Sequence, residues 1–480
     1  MNKRSFASFG ISVEIQQAIT KLLYIEPTDV QHKVIPLVME NQDVIVKAQT
    51  GSGKTAAFAI PICEKIEVEV RRPQVLVLTP TRELCVQVKD NIAEIGRFKR
   101  IRCAAIFGKQ PFYYQARELR QRTHVVVGTP GRTLDHLEKG SLDVQGLRYL
   151  VIDEADEMLN MGFIEQVEEI IKMLPKARVT LLFSATISNQ VEELCHRYMH
   201  NPITVQVSPE TVTTDKIDHV YYEVEEGEKF RLLENILVVE NPDSCIIFAG
   251  TKEKVDQLFG RVNGRIPCLK LHGGMVQGDR LQAINSFKRG EYRYLVATDV
   301  AARGIDIENV THVINYDVPM EKESYVHRIG RSGRAGRKGR AITFVTPREL
   351  RFLDQIEEFV GFKIAQGEQL DEIQIKTARN AFMQKIQAKP ELKDEKTRGL
   401  NKDISKLYIS AGKKKKIRPG DVVGVITGIA GIAADDIGII DIQDSCTFVD
   451  ILNGKGLMVL SALKTKTIKG KVVKVHLARK

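Results

Sequence analysis

Short apolar runs rich in β-branched residues recur along the chain at helix-length intervals. They are Val44–Lys47, Val75–Leu78, Val125–Val127, Tyr149–Ile152, Leu181–Phe183, Ile246–Phe248, Tyr294–Ala297, Val313–Ile314 and Ala341–Val345. The stretches between many of them, such as Glu83–Ile95 and Glu165–Met173, are long enough for helices. Continuous apolar runs read as strands buried on both faces, and their alternation with helices reads as βαβ units on a parallel sheet. Several runs end in a polar cluster: Thr79-Pro80-Thr81-Arg82, Gly128-Thr129-Pro130-Gly131-Arg132, Asp153-Glu154-Ala155-Asp156, Ser184-Ala185-Thr186 and Thr298-Asp299. Ligands of open α/β sheets bind just beyond the carboxyl ends of the strands, so these clusters mark the expected site.

The alternation pauses near Asn201–Asp218, where Pro202 and Pro209 flank polar residues, then resumes at Tyr221 and runs to about Gly361. Two similar α/β domains are predicted, over 1–207 and 216–363. Residues 364–403 are highly charged, with Pro390 among Lys and Glu, and read as a helix followed by an exposed linker. A small α+β unit is predicted over 404–480. Its strand candidates are Leu407–Ser410, Val422–Ile426, Ile437–Ile442, Thr447–Leu452 and Val472–Val475, with a short helix at Ala434–Asp436.

Charge is uneven along these parts. The chain carries +10, of which the last unit holds +8: from Ile404 to Lys480 there are 12 Lys and 2 Arg against 6 Asp and no Glu. A basic module of this kind is the footprint of a polyanion binder, or else a surface kept basic for solubility. An apolar fraction of 43% with 28% charged residues excludes disordered and collagen-like chains. No apolar run nears the roughly 20 residues that span a bilayer. No apolar block of about 7–15 residues follows Lys3 and Arg4, so no signal peptide is expected. Seven scattered cysteines without a C-x-x-C pair argue against a disulfide framework or zinc site and fit a reducing compartment.

Ala48-Gln49-Thr50-Gly51-Ser52-Gly53-Lys54-Thr55 follows the first strand and opens an apolar helix. Glycines let backbone N–H groups turn towards phosphate oxygens, a lysine placed like Lys54 reaches the β and γ phosphates, and a hydroxyl placed like that of Thr55 ligates Mg²⁺. The helix N-terminus adds positive potential. Ala48 stands where the general pattern has its first glycine. Downstream, Asp153 ends a buried strand where a Mg²⁺ ligand sits in such enzymes, reaching the ion through water, and the adjacent Glu154 is placed to deprotonate an attacking water.

Asp153-Glu154-Ala155-Asp156 together with this loop resembles the DEAD-box ATP-dependent RNA helicases, and the resemblance covers about residues 5–361. Phe9 and Pro27-Thr28-Asp29-Val30-Gln31 resemble the adenine-reading motif, with Gln31 the implied adenine contact. Pro80, Thr81 and Arg82, then Gly108, then Thr129, Pro130, Gly131 and Arg132 resemble the RNA contacts of the first domain. Ser184-Ala185-Thr186 is similar to the motif that couples hydrolysis to RNA. In the second half, Gln277, Arg280, Thr298 and Arg303 correspond to RNA contacts and Asp306 to a nucleotide contact. His327-Arg328-Ile329-Gly330-Arg331-Ser332-Gly333-Arg334 resembles the last motif, which makes Arg331 and Arg334 the implied arginine fingers. The family implies two RecA-like domains that close over ATP and single-stranded RNA, bend it and separate a short duplex. The chain departs from the family pattern at Leu23, where Gly is common, at Cys85, where Ala is common, at Lys109, where a second Gly is common, and at Ala249-Gly250.

The tail resembles the atypical RNA-recognition domain of DbpA/YxiN-type bacterial helicases, through Leu407-Tyr408-Ile409-Ser410, Lys413-Lys414-Lys415-Lys416 and Thr447–Gly456. Aromatics on the central strands of such domains stack bases. Tyr408 and Phe448 are the candidates, although strand alternation leaves Phe448 equally open to a core role. The lysine run reads as phosphate contacts or as a solvated loop. The subfamily implies recognition of a 23S ribosomal RNA hairpin during large-subunit assembly, ATP and Mg²⁺ as cofactors, a monomer, no membrane association and a bacterial cytoplasm. An ATP-gated RNA clamp without net strand separation is the alternative to a helicase.

Overall fold

Strands β2 (Val75–Leu78), β4 (Val125–Gly128) and β5 (Tyr149–Asp153) are buried along their whole length, as strands covered on both faces by helices must be. With β1 (Val44–Lys47), β3 (Cys103–Ile106), β6 (Val179–Ser184) and β7 (Ile203–Gln206) they form a seven-stranded sheet of order β3-β4-β2-β5-β6-β1-β7. The strands from β3 to β1 pair in parallel. The computed structural model describes residues 5–48, 51–207, 217–299, 307, 310–333, 338–390, 392 and 398–478.

A second sheet contains β8 (Ile217–Glu223), β9 (Cys245–Phe248), β10 (Cys268–Leu271), β11 (Tyr294–Ala297), β12 (His312–Asn315), β13 (Gly339–Val345) and β14 (Ala365–Gln366). Its order, β10-β11-β9-β12-β13-β8-β14, repeats that of the first sheet strand for strand, and every pair is parallel. The two parallel α/β sheets expected from the alternation are therefore present, and they are RecA-like, as the resemblance implies. The charged stretch after Gly361 supplies β14 and a helix, Glu372–Gln387, capped by Asp371. Phe382 of that helix is buried in the second sheet's core with Ile375 and Ile386 packed beside it.

The last module is antiparallel. Strands β15 (Ser405–Ile409), β16 (Ile437–Ile442), β17 (Thr447–Ile451) and β18 (Val475–Leu477) take the order β16-β17-β15-β18. Helices Pro419–Thr427 and Gly456–Leu463 intervene, giving a βαββαβ fold. Val422–Ile426, expected as a strand, is instead the heart of the first helix. Val422 and Ile426, four residues apart, are fully buried while Gly424 between them is exposed, which is the period of a helix. Pro419 at the first helical position and Asp421 bonding back to the Arg418 N–H at 2.8 Å start that helix, overriding the β-branched run. Val472 is exposed, so the last strand begins three residues later than expected. Ala434–Asp436 is a single 3₁₀ turn.

By internal contacts the chain divides into two units, one of Met1–Lys47, Gly53–Val205 and Glu395–Lys480, the other of Ala48–Ser52 and Gln206–Asp394. Among the described residues no helix is long and apolar enough to cross a membrane.

One departure from the family pattern has a local consequence. Helix Val13–Lys21 ends in a Schellman motif, in which Leu23 N–H donates to Thr20 O at 3.0 Å and Tyr24 N–H to Ile19 O at 2.9 Å. Leu23 holds the left-handed position with φ of 63° and is exposed. Leu23→Gly is expected to stabilise the unit by about 0.5–1 kcal/mol, the ~1–2 kcal/mol relief of left-handed backbone less the entropy of glycine. Urea unfolding checks this, and an unchanged or lower midpoint contradicts it.

Candidate functional site

The registers Lys47 opposite Ser184 and Asp153 opposite Phe183 bring the carboxyl ends of β1, β6 and β5 to one level. Helix Lys54–Lys65 begins there, capped by Gly53 at φ of 89°. The backbone at Gly53 favours glycine, and a Cβ there would lie 2.5 Å from Gln31 Nε2 and displace that amide. Gln31 accepts from the Thr28 N–H at 3.0 Å and donates to the Gly53 carbonyl at 3.3 Å. The residue expected to touch adenine thus also ties its own helix start to the phosphate loop. An amide has two donor hydrogens and two lone pairs, so each end can serve a second partner. Phe9 lies edge-on to His32, next to Gln31, with ring centroids 6.1 Å apart.

Lys54 is buried, and among the described residues its Nζ has no hydrogen-bond partner. Asp153 Oδ1 is likewise buried and unpartnered among them. Burying unpaired charge is costly unless a ligand completes it. The Asp153 carboxyl is held above its ordinary range by burial, against the opposing pull of the Lys54 ammonium and the Glu154 backbone, with Asp156 adding to the rise. A bound cation reverses that direction. An ammonium, the Thr55 hydroxyl in the first helical turn and a buried carboxylate are the donor set that a Mg²⁺–nucleotide requires.

Glu154 takes left-handed backbone, φ of 57°, between β5 and helix Ala155–Asn160. Such strain on a non-glycine residue concentrates at functional sites. Asp156 is joined to the end of β6: its carboxylate accepts from Ala185 N–H at 3.1 Å, Thr186 N–H at 3.0 Å and Thr186 Oγ1 at 3.1 Å. Its own N–H donates to Ser184 Oγ at 3.2 Å. Four bonds therefore tie the acidic turn to Ser184-Ala185-Thr186, so a shift in one moves the other.

The first-sheet residues predicted to face RNA sit at the ends of β2, β3 and β4. Thr81 caps helix Arg82–Ile95 through Leu84 N–H at 3.3 Å, and Pro80 precedes it. Gly108 lies beside the Arg82 guanidinium, 3.5 Å from where a Cβ would stand, and Lys109 after it has φ of 60°. Cys85 donates its S–H to the Val127 carbonyl at 3.1 Å, and burial pushes the thiol up to about 12. Thr129 and Pro130 open helix Pro130–Glu138, and Gly131 lies against Gln166. Arg132 is mostly buried, donating to Gln115 Oε1 at 2.8 Å and the Gln110 carbonyl at 2.9 Å. Two residues absent from the sequence expectations hold it. Gln115 bonds the Phe107 carbonyl at 2.9 Å and meets His136 Nε2 at 3.2 Å, and His136 stacks on Phe112 at 4.1 Å. Burial, with Arg132 adding to it, lowers the His136 imidazole to about 4, so the ring is neutral at pH 7. Neither residue belongs to a local motif, so only the fold reveals them.

In the second unit Gln277 starts helix Gln277–Lys288, with Arg280 buried one turn on. Thr298 follows β11 and donates its N–H to the Leu271 carbonyl at 3.1 Å. Arg328 clasps Asp299 through two bonds, Nη2 to Oδ2 at 2.6 Å among them, and also donates to Asn315 Oδ1 at 3.0 Å and the Asp317 carbonyl at 2.8 Å. Arg331 is buried, its Nε donating to the His327 carbonyl at 3.3 Å. Gln49, Thr50, Arg303, Asp306 and Arg334, together with Val300–Ala302, lie outside the described residues. Ala48, Gly51 and Ser52 carry the chain from β1 towards Gly53, with Gly51 at φ of 82°.

On the C-terminal sheet Tyr408 pairs across to Phe448 on one side and His476 on the other. Its ring stacks on His476 at 4.5 Å and meets Phe448 edge-on at 5.6 Å. Phe448 is half-buried on this face rather than in the core, and His476, which the sequence did not suggest, is exposed. Lys413–Lys415 form a 3₁₀ turn, and all four lysines through Lys416 are exposed.

The sequence matches three families: DEAD/DEAH box helicase over residues 28–194, helicase conserved C-terminal domain over 228–336 and DbpA RNA binding domain over 406–477. It is 57% identical over 476 residues to the ATP-dependent RNA helicase DbpA of Bacillus subtilis, covering 99% of both chains. It is 48% identical over 354 residues to the DEAD-box ATP-dependent RNA helicase CshA of Geobacillus kaustophilus, covering 74% of this chain and 76% of that one. Among solved structures, S. cerevisiae Dbp5 bound to RNA and ADP BeF3 is similar with a TM-score of 0.69 and 30% identity, covering 78% of this chain and all of that one.

Proposed function

Since the chain belongs to the DEAD-box ATP-dependent RNA helicases and ends in a DbpA RNA-binding domain, we propose that it remodels 23S ribosomal RNA during large-subunit assembly, with residues 404–480 choosing the RNA hairpin and the two α/β domains, 1–207 and 216–363, acting on neighbouring helices. It works as a monomer in a bacterial cytoplasm. The observations that carry the address are the aromatic face Phe448–Tyr408–His476 and the exposed run of four lysines that follows the strand of Tyr408. Stacked rings hold unpaired bases and lysines hold phosphates, which is how a hairpin loop is gripped.

In the ATP site Lys54 holds the β and γ phosphates, Phe9 and Gln31 face the adenine, and Thr55 and Asp153 would hold Mg²⁺. The metal would supply positive charge at the transferring phosphoryl group. Glu154 orients the attacking water and takes its proton. Arg331 and Arg334 supply the remaining positive charge on the phosphoryl oxygens. Asp156 carries the state of this site to Ser184-Ala185-Thr186 through its four bonds. Pro80, Thr81, Arg82, Gly108, Thr129–Arg132, Gln277, Arg280, Thr298 and Arg303 hold phosphates and sugars, which carry no sequence information.

Tyr408→Ala is expected to weaken binding of the rRNA hairpin by about 1–3 kcal/mol, the range for one stacked base. Binding to an unstructured RNA of equal length should fall less. Equal losses on both RNAs remove the stacking role. Replacing lysines of the 413–416 run one at a time should lower the salt slope of RNA binding by roughly 0.7–0.9 for each that meets a phosphate. An unchanged slope in all four variants leaves only a solvated loop.

A further inference from the structure

The C-terminal module is strongly basic, yet it presents its acid to the first α/β domain, with which it forms one unit. The partners there are arginines of one segment, 97–117. Asp450 of β17 is 2% exposed and pairs with Arg97 at 3.2 Å. Arg102 donates to the Ile440 carbonyl on the edge strand β16, with Asp441 the leading carboxylate in its field. Arg100 donates to the Ala434 carbonyl at 2.8 Å and stands 3.8 Å from Asp435. Arg117 meets Asp444 at 3.4 Å. Three of the module's six aspartates thus pair with three arginines, and a fourth, Asp441, lies in the field of Arg102.

Two properties of this interface point beyond a fixed support. First, it occupies part of the RNA-reading sheet. Asp450 lies two residues from Phe448 on the same strand, and alternation places both on the face that carries Tyr408. Second, its central pair is incompletely satisfied. Asp450 Oδ1 and Arg97 Nε are both buried, and among the described residues neither has a hydrogen-bond partner. A buried ion pair with orphaned atoms gains little over its desolvation cost, while the rim pairs are exposed and screened by salt. Such a contact holds weakly, and an RNA backbone offers the same arginines a denser row of anions.

We propose that this interface is an autoinhibitory latch: aspartates of the C-terminal module stand in for RNA phosphates on the arginine segment 97–117, and RNA displaces them to free the aromatic face. The inference rests on the RNA-binding reading of that face. It adds a closed state which RNA must open.

Fluorescence energy transfer in the full-length protein, between one exposed label on the first α/β domain and one on the module, tests it. Transfer should be high at low salt and fall when salt or the hairpin RNA is added. Arg97→Glu sets a carboxylate against Asp450 and should lower transfer without RNA. Affinity is read with Asp450→Asn, which loosens the same pair and keeps every arginine for RNA: if the closed state holds nine molecules in ten, opening raises apparent hairpin affinity about tenfold. The exchange Arg97→Asp with Asp450→Arg should restore both transfer and the weaker binding. Arg117→Glu, at the exposed rim, gives a smaller shift in the same direction without risk to the core. Transfer that ignores both Arg97→Glu and Arg117→Glu overturns the docked state. Loss of transfer in Asp450→Asn without gain in affinity overturns the inhibition. Transfer is read without catalysis, so failure of the ribosomal reading, seen as equal binding of unrelated RNA by the wild type, is distinguishable from failure of the latch.

Discussion

Lys54→Ala is expected to lower RNA-stimulated ATP turnover by about 10²–10³-fold, the cost of removing one preorganised positive group from a transition-state site. The same substitution should leave the folded protein as stable as before, or more so. The Lys54 ammonium is buried without a hydrogen-bond partner among the described residues, and its attraction to the Asp153 carboxylate offsets only part of its desolvation. Phosphate release at saturating RNA reads the first effect and thermal unfolding the second. Full residual turnover contradicts the assignment. Lost turnover with a collapsed melting temperature assigns Lys54 to the fold instead.

Glu154→Gln should bind ATP and RNA like the parent but hydrolyse about 10²–10⁴-fold more slowly, the range for loss of a positioned base. The amide keeps the size of the side chain at the strained turn and removes its basicity. Rapid hydrolysis by this variant contradicts the role of Glu154. The variant also separates a helicase driven by turnover from an ATP-gated clamp. If a short duplex is released at the parent rate on ATP binding alone, closure does the work and hydrolysis serves release of the strand.

Much of this was legible along the chain because it is local. Val75–Leu78 and Tyr294–Ala297 announce buried strands by composition, and Gly51 to Thr55 announce a phosphate loop by spacing. Edge strands are harder to see. β3 (Cys103–Ile106) buries only alternate residues, and β7 (Ile203–Gln206) is largely exposed, so neither needs an apolar run. Val422–Ile426 misleads for the opposite reason, since its β-branched residues fill a helix face that the module's core selects. Gln115 and His136 were invisible because their chemistry lies in holding Arg132, which Gln115 does from 17 residues away. His476 joins Tyr408 only through the pairing of β15 with β18, and the facing of arginines and aspartates joins residues more than 300 positions apart.

ATP turnover should be measured with a 23S rRNA hairpin fragment and with an unrelated RNA of equal length, using the full chain and a chain ending at Asp403. The full chain should prefer the ribosomal fragment, and the shortened chain should answer both RNAs alike. Equal stimulation of the full chain by the two RNAs would contradict the ribosomal address while leaving the ATP-dependent RNA helicase itself intact.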